Sequence, residues 1–419
     1  MNKYQSHAGY FGACTVLILT IGLIYLEKIA YINKISNNLI FSVVAIAFIV
    51  MVVAEFFLKR RYNKKYNYKV EYLALKSSNI YILKSTIIRF LALFIPFLIF
   101  YTLVQKHFFF SDITREFFNY LLYIFIFAGL PYIFITLKYR GQSRYEFGDY
   151  AILTIIGVKS IFCNLFNKNC KNRAYRNRRV KKVFLLYLVN LIFISLMTQF
   201  VVFEVNGFKK ELALFFSYKE SEIGWYIEYK SFYLIVFHIL FTIDVSIALI
   251  GYTFASRWLN NRTKSVDTTL SGWMVALMCY PPLNGVTSQF IPYEGLDTYQ
   301  LITSEYIQAI ILTLLIILYS IYVWATVALG FKFSNLTNRG VVDIGPYKYV
   351  RHPAYVSKNS AWWLENSYVL TNIWAAIAMA LWNIIYATRA LTEERHLNKD
   401  KEYSLYCKKV NYRFIPKII

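Results

Sequence analysis

Residues 307–330 read IQAIILTLLIILYSIYVWATVALG, 24 positions without one charged side chain. A helix needs about 20 mostly apolar residues to cross roughly 30 Å of hydrocarbon. This run is therefore a membrane span. Working outward from it, nine further apolar runs have similar character, at approximately 9–26, 39–58, 86–105, 117–137, 183–203, 232–254, 273–290, 354–370 and 372–391. Pro281-Pro282 interrupts the run at 273–290, and Lys358, Asn359 and Glu365 fall inside that at 354–370. Hydrophobic residues make up 58% of the chain and charged residues 16%, against about 25% charged in a soluble domain. The fold class that follows is an all-α integral membrane protein, a polytopic bundle of about 8–10 transmembrane helices.

Charge placement orients the bundle. Of the 46 Lys and Arg, about 36 fall on one side of a ten-span arrangement: Lys3 and the basic residues of 59–84, 138–182, 257–264, 332–351 and 389–417. The loop at 291–305 has none and carries Glu294, Asp297 and Glu305. The basic side is cytoplasmic by the positive-inside rule, which predicts a multi-pass protein with both termini inside. A net charge of +23 does not imply nucleic acid here, because the basic residues are spread over juxtamembrane loops rather than one soluble face. The densest cluster, Lys168, Lys171, Arg173, Arg176, Arg178, Arg179, Lys181 and Lys182, abuts a span and suits anionic headgroups. The partners expected are membrane lipids and a lipophilic substrate, without nucleic acid or metal.

Cys14, Cys163, Cys170, Cys279 and Cys407 fall in spans or on the basic side without metal-like pairing, which argues against a disulfide framework. The first span lacks a small-residue cleavage pattern and is expected to be retained. No repeat of fixed period is visible. A weakly amphipathic stretch from Tyr150 to Phe166 predicts an interfacial helix, and residues 204–230 are expected to form an external loop. The chain divides at about residue 300: 1–300 is a transmembrane region almost free of chemistry-bearing motifs, and 301–419 gathers polar and special residues.

Inside the sixth span lie His238 and Asp244, six residues apart. An intramembrane acid is a functional hypothesis by default, but six is not a same-face helical spacing, so the two are not expected to pair. A satisfied structural Asp stands beside an ion or proton site as an open reading. No G-x-G-x-x-G, P-loop or H-E-x-x-H pattern is present, so a nucleotide-like cofactor would need another kind of site.

The densest signal is Gly345-Pro346-Tyr347-Lys348-Tyr349-Val350-Arg351-His352-Pro353-Ala354-Tyr355. Gly345-Pro346 marks a turn, and Pro353 makes His352 extended while opening the next helix at its first position. Free N–H groups at such a helix start suit a carboxylate or other polar ligand group; the plainer alternative is a headgroup-binding turn. After two more apolar stretches come Arg389, Glu393, Glu394, Leu397, Tyr403, Tyr406, Val410 and Ile415-Pro416. Arg389 and Glu393, four apart, share a helix face, for which the ordinary explanation is a terminal ion pair of a few tenths of a kcal/mol. A hairpin between the two features brings both to one cytoplasmic pocket.

The ordered set G-P-Y-x-Y-x-R-H-P-x-Y, membrane hairpin, E-E-x-x-L, Y-x-x-Y-x-x-x-V and closing I-P resembles the isoprenylcysteine carboxyl methyltransferase family, which shares its core with phospholipid methyltransferases. The likeness covers about 330–416 and leaves the first ~300 residues outside it. It implies a C-terminal methyltransferase-like core, at 301–419, that takes S-adenosyl-L-methionine as cofactor. Tyr347 and the run His352, Pro353, Ala354, Tyr355 match the segment that wraps the cofactor in the family. Arg339, Gly340, Val341 and Val342 match a backbone stretch that also touches it, Glu393 matches the acid that contacts it, and Arg389 matches an arginine assigned to the substrate carboxylate. Departures are Ser357 where the family often has glycine, Lys358-Asn359 where it has aromatic or apolar residues, and a short segment between Leu397 and Tyr403.

The activity so implied is membrane carboxyl O-methylation of an isoprenylated cysteine or other lipophilic acid, with the active site cytoplasmic. Phospholipid N-methylation, NADPH-dependent isoprenoid or sterol reduction, and a non-catalytic or transport role are the alternatives; Arg389 favours an acidic acceptor over an amine.

Overall fold

The computed structural model describes residues 4–28, 35–65, 78–140, 150–166, 173–221, 224–290, 298–367 and 373–417. In chain order its helices are α1 (Ala8–Lys28), α2 (Asn37–Lys65), α3 (Asn79–Lys106), α4 (Asp112–Arg140), α5 (Tyr150–Phe166), α6 (Arg173–Glu220), α7 (Trp225–Thr253), α8 (Leu270–Leu277), α9 (Leu283–Phe290), α10 (Glu305–Leu329), α11 (Pro353–Glu365), α12 (Ile373–Leu397) and α13 (Lys401–Lys409). Among the described residues the strands are β1 (Ser265–Val266) and β2 (Thr337–Asn338), paired antiparallel. Among the described residues eight helices, α1 to α4, α6, α7, α10 and α12, are long and apolar enough to cross a membrane. The protein is an all-α polytopic membrane bundle.

Two of the ten expected spans take another form. The run at 273–290 breaks into the eight-residue helices α8 and α9, because Pro281 and Pro282 lack the N–H groups a continuous helix needs. The run at 354–370 yields α11, whose 13 residues extend about 20 Å, less than the hydrocarbon thickness. Both segments nevertheless carry the chain between the ends of the bundle. Ser265 pairs with Asn338 beyond the end of α10, whereas Gln300 bonds Lys230 and Gln308 near the starts of α7 and α10. Ala361 and Leu364 of α11 pack with Tyr299 and Ile311 toward that opposite end.

The expected external loop at 204–230 is instead helical almost throughout. α6 runs for 48 residues, roughly 72 Å, and α7 begins at Trp225. Glu204, inside that expected loop, lies on α6, and its Oε2 is 2.8 Å from His238 Nδ1 across the α6–α7 seam. Asp244, in contrast, accepts hydrogen bonds from Thr326 Oγ1 at 2.5 Å and Tyr322 OH at 3.1 Å on α10. His238 and Asp244 thus have different partners, as their spacing implies. The stretch from Tyr150 to Phe166 is helical with the expected limits. Lys168 and Lys171 of the basic cluster lie outside the described residues.

The main core packs α1, α2, α6 and α7 through Val16, Ala47, Met51, Val189, Phe193, Ile247 and Leu249. α3 and α4 are peripheral, with Ile80, Leu83, Ile95, Phe127 and Ile135 turned outward, an apolar face suited to lipid. At one end of the bundle, Tyr4 and Ser6 hydrogen-bond Glu55 of α2, and Lys59 donates to the Trp258 carbonyl at 3.3 Å. β1, β2 and α13 lie at this same end. α1 reaches α10 there because Gly9 has no side chain: a Cβ on it would stand 2.0 Å from the Val327 carbonyl oxygen. Small residues permit such backbone approach in membranes. Gly9→Ala is expected to lower stability by about 1–3 kcal/mol through overpacking, read as a lower melting temperature in detergent; an unchanged melting temperature would mean that α1 does not sit this close.

Candidate active site

The site forms where α10, α11 and α12 end or begin at the β1–β2 end of the bundle. After α10 the chain turns at Gly330, in the left-handed region at φ +48°, and runs irregularly through 333–344. Gly345, at φ +59°, leads into a short 3-10 turn over Gly345–Lys348. A Cβ on Gly345 would lie 3.1 Å from Trp324 Nε1 and from Ala328 Cβ, so this turn lies tight on α10. His352 then caps α11, with Pro353 at its first position, where a missing N–H costs nothing.

These segments surround a cavity enclosing about 1170 Å³ of non-atom space, part of it open to solvent. Of the residues that the family resemblance assigns to cofactor or substrate, all but Pro353 line it: Arg339, Gly340, Val341, Val342, Tyr347, His352, Ala354, Tyr355, Arg389 and Glu393. Pro353 is buried in the start of α11. Arg339 contributes to the wall, but its guanidinium is turned to the Gly251 carbonyl of α7. Lys332 Nζ donates to the Val341 carbonyl at 3.0 Å, which fixes the backbone of this wall.

Arg389 and Glu393 share a face but do not form the ion pair that ordinary helix chemistry would supply. Glu393 Oε2 accepts from Tyr355 OH at 2.8 Å. Arg389 Nη2 donates to Asn335 Oδ1 at 2.8 Å, and its guanidinium carbon lies 5.3, 5.2 and 5.9 Å from the ring centroids of Tyr280, Tyr355 and Tyr386. Stacked cation–aromatic contacts of this kind hold a guanidinium in place without neutralising it. Burial, with the neighbouring Glu393 carboxylate and the Tyr406 phenol, raises the Tyr347 phenol well above its ordinary value. Tyr347 is therefore neutral over the whole physiological range.

Glu394, one residue on, faces the other way and ties the site together. His352 Nε2 lies 3.1 Å from its Oε1, Arg351 Nη1 3.1 Å from its carboxylate, and Arg413 Nε 3.0 Å from its Oε2. The tail continues the clasp: Arg351 N and His352 N donate to the carbonyls of Tyr412 and Arg413, each at 3.0 Å. Tyr406 OH donates to the Tyr347 carbonyl at 2.8 Å, so α13 holds the Gly345–Lys348 turn from outside. Asp400 caps α13 and joins it to the strands, accepting from Lys264 Nζ at 2.7 Å and Asn338 Nδ2 at 3.0 Å.

Sequence reasoning passed over several of these residues. Glu394 was visible only as half of an acidic pair, and nothing in a linear reading tells which glutamate faces a ligand. Asn335 lacks any local signal. Tyr280 and Cys279 line the cavity from the region before residue 300, where no motif pointed to a site.

Residues 309–399 match the model of the isoprenylcysteine carboxyl methyltransferase family. The match takes in α11, nearly all of α10, and α12 with Arg389, Glu393 and Glu394; Tyr403, Tyr406 and Arg413 lie beyond it. This part of the protein is therefore of methyltransferase type, set in a membrane bundle. No curated protein and no solved structure matches the chain.

Two outcomes follow from the clasp. Glu394→Ala leaves the buried Arg351 guanidinium without its counter-charge and His352 Nε2 without its hydrogen-bond partner, which costs about 3–5 kcal/mol. A lower melting temperature and faster proteolysis of the tail after Lys409 are expected; a tail that stays protected would remove Glu394 as its anchor. The second outcome concerns pH. Burial would raise the Asp400 carboxyl, but hydrogen bonds from Lys264 and Asn338 outweigh it and hold Asp400 below its ordinary value. The stabilisation is thus complete above the unfolded carboxyl value of about 3.9 and disappears as pH falls through the lower folded value. Hydrogen-exchange protection of α13 should be flat from pH 5 to 9 and fall below about pH 4, and Asp400→Asn should abolish that acid limb.

Proposed function

We propose that this protein is an S-adenosylmethionine-dependent carboxyl O-methyltransferase acting on a lipophilic acid, an isoprenylated cysteine among the candidates. The observation that carries the reading is the single cavity lined by Arg389, Glu393 and all but one of the residues expected to touch the cofactor. In this reading residues 301–419 form the transfer core and 1–300 a supporting transmembrane region. The site and both termini face the cytoplasm, on the Lys/Arg-rich side.

The residues present suit the cofactor chemically. The cavity is lined by charged, amide and aromatic side chains from α10, α11 and α12, the mixture of a few polar groups among apolar ones that small-molecule sites use. Glu393 offers a carboxylate for an ammonium or ribose hydroxyl, the 339–342 backbone offers amide groups, and Tyr347 and Tyr355 offer apolar faces. S-adenosylmethionine, when bound, supplies an electrophilic methyl group on a sulfonium.

The protein's own contribution is alignment. Arg389, always charged and planar, is suited to fix the acceptor carboxylate in a set orientation, while Asn335 and three tyrosine rings fix Arg389 itself. A carboxylate is already ionised at neutral pH, so no general base is required, and the site places no nucleophile beside one. Holding two reactants in line can lower a barrier by several kcal/mol. Closure of the aromatic wall around opposite charges that cancel during transfer adds to this by excluding water. A lipidic acceptor enters from the bilayer side and the soluble cofactor from the open end.

Calorimetric titration of S-adenosylmethionine and NADPH into the detergent-purified chain tests the reading. Saturable binding of the first, weakened about tenfold or more by Glu393→Ala and also by His352→Ala, is expected. Arg389→Met should leave that binding intact and abolish methyl transfer. Binding of NADPH alone would replace the reading by a reductase, and binding of neither would remove the enzyme reading altogether.

A further inference from the structure

Lys332, Arg339 and Arg351 of the cavity wall are engaged within the protein, which leaves, beside Arg389, one further cation that alignment of a single carboxylate does not use. Lys358 lies one helical turn beyond Tyr355 on α11 and lines the same cavity as Arg389. Its ammonium lies 5.4 Å from the Tyr322 ring centroid and 5.3 Å from that of Trp362. Among the described residues nothing accepts a hydrogen bond from it and no carboxylate pairs with it. The acids in the neighbourhood are engaged elsewhere. Glu393 accepts from Tyr355, Glu365 from Tyr319, and Asp244 from Thr326 and Tyr322; the charges of Asp244 and Glu365 act on Lys358 without a direct ion pair. Arg389 likewise spends a single hydrogen bond within the described residues, on Asn335.

An ammonium that lines a cavity with three donors and no acceptor among the described residues is free to donate to a ligand oxyanion there. Two such cations on one wall call for more than one oxyanion. A carboxylate at Arg389 accounts for one of them only.

We propose that Lys358 and Arg389 together form a two-cation subsite for the acceptor head, so that the acceptor is an amphiphilic acid with a second oxyanion beside the carboxylate that is methylated. This rests on the methyl-transfer reading for its chemistry. Its binding prediction stands independently. The second oxyanion is a carboxylate or a phosphate, either of which accepts hydrogen bonds from an ammonium.

The test is calorimetric, on the full chain in detergent and without cofactor. N-palmitoyl-L-glutamate, its amide N-palmitoyl-L-glutamine, and N-palmitoyl-O-phosphoserine are titrated into the native chain and into Lys358→Met. The native chain is expected to bind the glutamate or the phosphoserine form about ten- to a hundredfold more tightly than the glutamine form, and the tighter of the two names the second group. Lys358→Met should erase the preference, keep the glutamine affinity and keep S-adenosylmethionine binding, with an undiminished melting temperature. Equal affinity of the native chain for all three, or no binding of any, would overturn the proposal. So would a variant that loses S-adenosylmethionine binding, since Lys358 would then hold the cofactor's carboxylate. Failure of the methyl-transfer reading has a separate signature: no S-adenosylmethionine binding by the native chain while the two-acid preference persists.

Discussion

The Glu394 carboxylate is the interaction on which the site end depends. Taking an acid out of water is costly, and the cost is recovered only with good geometry and full hydrogen bonding. Glu394 has both, with Arg351, His352 and Arg413 arranged around its two oxygens. The three partners belong to the loop before α11, the cap of α11 and the tail after α13. One buried charge on α12 therefore sets where α11 begins. Tyr355, two residues past that start, is then in place to donate to Glu393. Successive helix residues project about 100° apart, which lets one glutamate face the cavity while its neighbour faces the tail.

The transmembrane region before residue 300 supports the cavity from behind through α7. The Gly251 carbonyl on α7 receives Arg339, which anchors the 339–342 backbone from behind. Asp244 receives Thr326 and Tyr322, two residues of α10 that line the cavity. Tyr252 OH accepts from the backbone N–H of Asn335, whose side chain positions Arg389. A single helix, α7, thus orients three separate parts of the site without lining it.

How much of this was readable from sequence divides along physical lines. Span identity needs only local run length, so 307–330 and its counterparts were legible, as was the helix from Tyr150 to Phe166. The cavity residues were legible because Gly345-Pro346 and His352-Pro353 impose local geometry and because their order resembles a known family. What escaped depends on long-range pairing. Glu204 falls inside the expected loop because its helix carries charge past the apolar window, and its partner His238 sits 34 residues away. Glu394 and Asn335 acquire roles only once α12 lies beside the tail and the strands. The length of α11 escaped for a related reason: apolar composition reported burial, which a helix packed against α10 also satisfies.

The two interrupted passages are better understood as a requirement of the cavity than as weak spans. Irregular backbone at membrane depth is tolerated only where it is buried in protein or faces a polar space, since lipid offers no hydrogen bonds. The break between α8 and α9 presents Cys279 and Tyr280 to the cavity, and Tyr280 OH accepts from Asn335 Nδ2 at 2.9 Å. α11 starts beside the same space, with Ala354, Tyr355 and Lys358 on its cavity side. A full-length apolar helix in either place would put a continuous hydrophobic stripe where two cations and a carboxylate now face inward. Pro281-Pro282 separates α8 from α9 and His352-Pro353 opens α11, so each proline step sets a helix limit beside the cavity.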